Sequence, residues 1–286
     1  MRLSTTSVGT DANVRRRVLA AALAVQTVAA AVLITTEPAA GTRSELPAIA
    51  DSAPVVRSLT AVNLSRTRGA ALLERVRADF GGAVAAVERF WGTDWPREIV
   101  VVATDSQAQF EAEARLDPRR EWGDIAGVAV ADEVDTAQRR AVGQRIVLAP
   151  GATAMSDEAL RIVLTHELFH LATRVDTALD APRWLTEGVA DFVARPAMPL
   201  PAVAAGITAL PSDAELDAPG PGRSAGYDRA WWFTRFVAEE FGADRLRLLY
   251  VAACGPGHGD FPWAVREALD VDLAELQVRW AAWLNR

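Results

Sequence analysis

The chain contains no lysine, so all of its positive charge is arginine, and 30 such residues face 37 acidic ones for a net charge of −7. That acidic balance, with no basic cluster outside the amino terminus, argues against a nucleic-acid partner. Cys254 is the only cysteine, which excludes an internal disulfide and a cysteine-built metal site but does not fix the redox compartment. Histidine and tyrosine are also scarce, at three and two residues. What the chain has in quantity is apolar: half of its 286 residues are hydrophobic, enough for one substantial core with appendages.

Two of the three histidines stand together in Thr165-His166-Glu167-Leu168-Phe169-His170. The preceding run from Ser156 reads as an amphipathic helix. Ser156 or Asp157 can cap it, Asp157 and Glu158 fill its first turn, and Leu160, Val163, Leu164 and Leu168 recur at helical spacing. Histidines four apart lie one turn above each other on one helix face, so both imidazoles can reach a single Zn²⁺. Glu167 projects beside them, toward the water such a metal activates. This is the H-E-x-x-H arrangement.

Two ligands do not hold a catalytic zinc, and a third is found in Trp184-Leu185-Thr186-Glu187-Gly188-Val189-Ala190-Asp191-Phe192. Trp184, Leu185, Val189 and Phe192 make an apolar stripe, so this segment reads as a second helix packed on the first. Glu187 sits in that apolar setting, where an unpaired carboxylate is costly to bury and coordination to a cation removes the cost. Gly188 lets another backbone or side chain approach closely. Asp191, one turn after Glu187, is placed to accept the second N–H of a ligating histidine.

His166-Glu167-x-x-His170 followed by Trp184-Leu185-Thr186-Glu187-Gly188-x-Ala190 resembles the gluzincin zinc metallopeptidases, especially the compact peptidase MA-like domains of bacteria, over about residues 95–286. The resemblance implies a thermolysin-like (zincin) α+β catalytic domain, with a small mixed sheet beside a helix bundle. It implies one Zn²⁺ held by His166, His170 and Glu187, with Glu167 as general base and a peptide or protein as substrate. No Gly-x-Met-Glu-Asn-like segment, which holds a substrate amino terminus in the large aminopeptidases, is found, so the expected activity is endo- or oligopeptidase. The alternative function is a non-catalytic metal-binding interaction module, extracytoplasmic, on a peptidase fold.

Ahead of this domain, Arg15-Arg16-Arg17 precedes an apolar run over residues 18–34. The expectation is a cytoplasmic tail over 1–17, a transmembrane anchor or signal segment over 18–36 and a linker over 37–58, rich in Pro, Ala, Ser and Thr. The catalytic domain, 59–286, then lies outside the membrane of a single-pass protein, or is secreted after signal cleavage. Residues 59–90 carry helical periodicity through Leu72, Leu73, Val76, Phe80, Val84 and Val87, with Gly81-Gly82 as a break into two helices. Residues 97–103 form a buried strand, 106–116 a short helix capped by Ser106, and 125–130 and 144–148 two more strands. In gluzincins such a sheet pairs its edge strand with extended substrate, and 125–130 is the expected edge.

The Pro- and Gly-rich stretch 195–226 is either a substrate-shaping loop or a surface connection. A helix opens at Tyr227 and stops at Gly242. Peptide hydrolysis needs a donor for the developing oxyanion, and compact gluzincin-like domains often place a tyrosine early in the helix after the glutamate-ligand helix. Tyr227 occupies that place. His258, in a glycine-rich loop, is the alternative donor. Tyr250 belongs to the core, and two helices over 263–284 close the domain. The sequence leaves the oligomeric state open.

Overall fold

The structure is a computed structural model that describes residues 57–286, apart from 66–67, 118–121, 124, 202–203, 205 and 219–220. The expected tail and anchor, and all but the end of the expected linker, lie outside the described residues. Among the described residues no helix is long and apolar enough to cross a membrane.

The architecture is α+β. A four-stranded sheet of order β1-β2-β6-β3 combines β1 (Ser58–Asn63), β2 (Glu98–Ala103) and β6 (Arg145–Leu148) in parallel with an antiparallel β3 (Gly127–Val130). Successive residues of a strand face opposite sides, and the apolar sets divide accordingly. Ile99, Val101, Ala103, Ala129, Ile146 and Leu148 join the main core, while Val102, Val128, Val130 and Val147 join a second cluster with Phe110 and Trp122. A strand covered on both faces reads as a continuous β-branched run, which is why Ile-Val-Val-Val announces β2. Helix α1 (Gly69–Trp91) and helix α2 (Gln107–Glu113) supply apolar residues to the main and second clusters respectively. The short hairpin β4–β5 (Glu133–Asp135, Arg140–Val142) stands apart from the sheet.

The central helix α3 (Asp157–Thr173) starts at Ser156, whose hydroxyl accepts the Ala159 N–H at 3.2 Å. It is amphipathic only in its first two turns. From Val163 onward every residue is buried, because α3 runs between the sheet, α1 and α4 (Arg183–Ala194). Phe169 fixes its rotation among Phe90, Trp91 and Tyr250, with ring centroids 5.6–6.0 Å apart. After α4 come the one-turn α5 (Asp213–Leu216), α6 (Pro221–Phe241), α7 (Ala243–Cys254), α8 (Phe261–Leu269) and α9 (Leu273–Leu284).

Three expectations are corrected. Residues 58–63 are a strand, not the start of a helix: Leu59 and Ala61 pack on one core and Val62 on the other, a period of two. Helix α1 runs unbroken through Gly81-Gly82, because Val76, Ala83, Val84 and Val87 bury on either side of the pair and outweigh the cost of two exposed glycines. Helix α6 begins at Pro221, six residues before the expected start at Tyr227, so the stretch between α4 and α6 is shorter than expected and carries α5.

Helices α4 and α6 meet through a glycine. A Cβ at Gly188 would lie 2.6 Å from the Ala230 carbonyl oxygen, and Thr234 Oγ1 donates to the Gly188 carbonyl at 2.8 Å. Gly188→Ala must push the helices apart and should cost about 2 kcal/mol, roughly 5 °C in melting temperature. Gly81→Ala, with open space around its Cβ, should instead stabilise by about 0.5–1 kcal/mol. Thermal melts of the two variants against the parent check both signs.

Candidate metal centre

Helix α3 presents His166 and His170 on one face, and α4 brings Glu187 against them. His166 Nε2 lies 2.9 Å from His170 Nε2 and 3.2 Å from Glu187 Oε2, and His170 Nε2 lies 3.6 Å from Glu187 Oε1. All three residues are buried, with one ligand atom from each within 4.8 Å of the others. Donors held tetrahedrally at about 2.0–2.1 Å from a zinc ion stand about 3.3 Å apart. The observed edges bracket that value. Two imidazole nitrogens 2.9 Å apart cannot both present lone pairs: one donates its N–H to the other, or a cation lies between them. The group could therefore bind a metal ion.

Electrostatics agree with this. Burial alone would push the His166 imidazole down, but the Asp191 and Glu187 carboxylates it faces hold it up, at about 10. Burial pushes the Glu187 carboxyl up, yet the two imidazoles outweigh it and bring it to about 2. His170 is lowered, first by burial, with His166 acting in the same direction against Glu187. The carboxylate is thus ionised, and a positive charge rests on the His166 imidazole beside it, the situation a divalent cation replaces.

The outer contacts orient this group. Asp191 Oδ1 lies 2.9 Å from His166 Nδ1, which fixes the ring so that Nε2 faces His170 and Glu187. Asp191 Oδ2 in turn lies 2.8 Å from Arg195 Nη2.

Glu167, next to His166 on α3, is held from strand β3. Its Oε2 accepts the Ala129 N–H at 2.7 Å, and its Oε1 is buried without a hydrogen-bond partner. Burial pushes its carboxyl up to about 7, against the pull of His166 and the Ala129 N–H. Arg174, just past the end of α3, donates from Nη2 to the Ala129 carbonyl at 2.7 Å. Both polar groups of Ala129 are therefore engaged by the segment that carries the histidines.

This bears on the expected substrate edge. Strand β3 does lie at the edge of the sheet, and the Ala149 N–H donates to the Ala126 carbonyl, so the antiparallel alternation turns Gly127 and Ala129 outward. All four residues of β3 are buried, and Ala129 is already bonded to Glu167 and Arg174. At Ala129 the edge positions the glutamate rather than standing open for an added strand.

Tyr227 lies in the second turn of α6 and is buried. Its phenol is pushed well above its ordinary value, first by burial and then by the Glu187 carboxylate, with Asp191 adding to it. It thus lies within electrostatic reach of the Glu187 and Asp191 carboxylates. His258 does not join the site: its Nδ1 contacts the Gly259 carbonyl at 2.8 Å and its Nε2 lies 3.5 Å from Asp180.

The sequence reading did not single out Arg174 or Arg195. A helical-spacing signal existed for each, since Arg174 follows Glu167 by seven positions and Arg195 follows Asp191 by four. No comparable signal pointed to Ala129, whose part depends on how a distant strand meets α3.

Fold and site together define an α+β protein with a buried two-histidine, one-glutamate group able to hold a metal ion. Scans against protein-family models and searches of curated proteins and solved structures find no match to the chain.

Because a ligand that binds only the folded state stabilises it, Zn²⁺ at about a hundred times its dissociation constant should add roughly 2.7 kcal/mol. The melting temperature of the parent should rise on zinc addition, and that of a His170→Ala or Glu187→Ala variant should not. Differential scanning calorimetry with and without zinc reads both.

Proposed function

We propose that the chain is a zinc-dependent peptidase of the gluzincin type, acting as an endo- or oligopeptidase on a peptide or protein. The observation that carries this reading is the pair of carboxylates with divided tasks. Glu187 joins the two imidazoles, while Glu167 stays outside that group with one oxygen fixed and the other uncommitted. A site that only stored a cation has no use for the second carboxylate, since burying it costs free energy that no metal bond recovers.

A zinc ion at His166, His170 and Glu187 would act as a Lewis acid on the substrate carbonyl and bring the pKa of an attacking water to about 7. Glu167 Oε1 takes the proton from that water as its oxygen attacks the carbonyl carbon. The same oxygen then delivers the proton to the amide nitrogen, the C–N bond breaks, and a carboxylate and an amine leave. The Ala129 N–H holds Glu167 Oε2 through both transfers, so the carboxylate does not swing away between them. Asp191 keeps His166 in one tautomer. The Tyr227 hydroxyl, kept protonated by its surroundings, donates to the oxyanion of the tetrahedral intermediate.

The α+β layering supports the thermolysin-like reading: a mixed sheet lies against the histidine helix, and the glutamate ligand comes from the next helix. The basic-then-apolar amino-terminal sequence supports an extracytoplasmic catalytic domain, anchored by residues 18–36 or released after their removal.

The Glu167→Gln variant should keep its zinc and lose at least 10²-fold in kcat, and Tyr227→Phe should lose about 10²–10³-fold with KM little changed. Cleavage of a broad peptide library followed by mass spectrometry, beside metal analysis of each protein, measures this. A zinc-loaded parent that cleaves nothing in the library, or a Glu167→Gln protein as active as the parent, contradicts the reading.

A further inference from the structure

Arg195 closes helix α4, and both its backbone and its side chain hold Asp191. Its N–H donates to the Asp191 carbonyl oxygen at 2.8 Å, and its Nη2 lies 2.8 Å from Asp191 Oδ2. The other arm of the guanidinium, Nη1, lies 3.0 Å from Asp228 Oδ1, on α6 directly after Tyr227. The guanidinium carbon also stands 4.9 Å from the centre of the Trp231 ring, one turn further along the same face of α6. Only 9% of the Arg195 side chain is exposed. The guanidinium thus hydrogen-bonds Asp228 and pairs by charge with Asp191, whose Oδ2 accepts no hydrogen bond, so two carboxylates from two helices share one cation.

Followed inward, the contacts form a line: Asp228 on α6, Arg195, Asp191, and His166 with Nε2 in the ligand group. Each step is a direct polar contact, and each charged member is largely buried, where such contacts are screened little by water. Anything that sets the orientation of His166 also sets Asp191, and through the guanidinium it sets the segment of α6 that carries Tyr227.

We propose that Arg195 is a positioning residue that couples cation binding at His166, His170 and Glu187 to the placement of the first turns of α6. Metal occupancy and the position of Tyr227 are then one equilibrium: the ligand group fills and Tyr227 is drawn to its working place together. Coupling of this kind is reciprocal, so a rigid start to α6 favours the metal as much as the metal favours it. The inference rests on the metal-site reading but not on peptide hydrolysis, and its test needs no substrate.

The test is hydrogen–deuterium exchange of the full chain with and without Zn²⁺, reading the amides of residues 225–231. In the parent, zinc should slow their exchange about fivefold or more. In Asp228→Asn, which leaves the His166–Asp191 and Asp191–Arg195 contacts in place, the slowing over 225–231 should be lost and, by the same reciprocity, zinc affinity measured by competition with a chromophoric chelator should fall by about the same factor. Arg195→Leu should lose the same slowing, with that over α3 retained. If Arg195→Leu does not fold, Asp228→Asn alone decides, since its side chain is the more exposed of that pair and its change is isosteric. Equal zinc-dependent slowing over 225–231 in parent and Asp228→Asn overturns the inference and leaves the metal site standing. A parent that takes up no zinc overturns the metal site and the inference with it.

Discussion

Five ionisable side chains, His166, Glu167, His170, Glu187 and Asp191, are buried within two adjoining helices, and much of the surrounding architecture answers to that fact. Water no longer stabilises their charges, so each must be matched by a partner of opposite sign or by a hydrogen-bond donor. Glu187 is matched by two imidazoles, Asp191 by His166 and Arg195, and Glu167 by the Ala129 N–H. The imidazole pair, 2.9 Å apart, is the contact that needs a proton or a cation between its nitrogens.

The fold supplies what such a group requires. Phe169, on the turn that carries His170, is locked among Phe90, Trp91 and Tyr250, so the helix cannot rotate its histidines away. Gly188, the neighbour of Glu187, lets α6 approach α4 to backbone contact. Strand β3 ends the sheet where Glu167 and Arg174 grip Ala129 from its two polar groups. Three elements distant in sequence meet at the site, and none of them is positioned by its own propensity alone.

Which polar residues would be buried together was more legible in the sequence than the architecture that brings them there. Spacings of four put His166 with His170 on one helix face and Glu187 with Asp191 on another, and the packing of the two helices brings the pairs together. Strands β2, β3 and β6 were legible as β-branched runs, and Ser106 and Ser156 as caps. Strand β1 was lost to the helical pattern downstream, although Leu59, Ala61 and Val62 already alternate between two cores. The β4–β5 hairpin had no signal: its strands are three residues long and charged, and its turn contains neither glycine nor asparagine. The roles of Arg174 and Arg195 depend on which residue of another element they meet, and helical spacing only narrows that choice.

The central claim is that two imidazoles and one carboxylate bind the same cation. X-ray absorption at the zinc edge of the zinc-loaded protein tests it directly. The account predicts a first shell of nitrogen and oxygen at about 2.0–2.1 Å with the multiple-scattering signature of two imidazoles. A shell containing sulfur at about 2.3 Å, or one of oxygen alone without imidazole scattering, would contradict it.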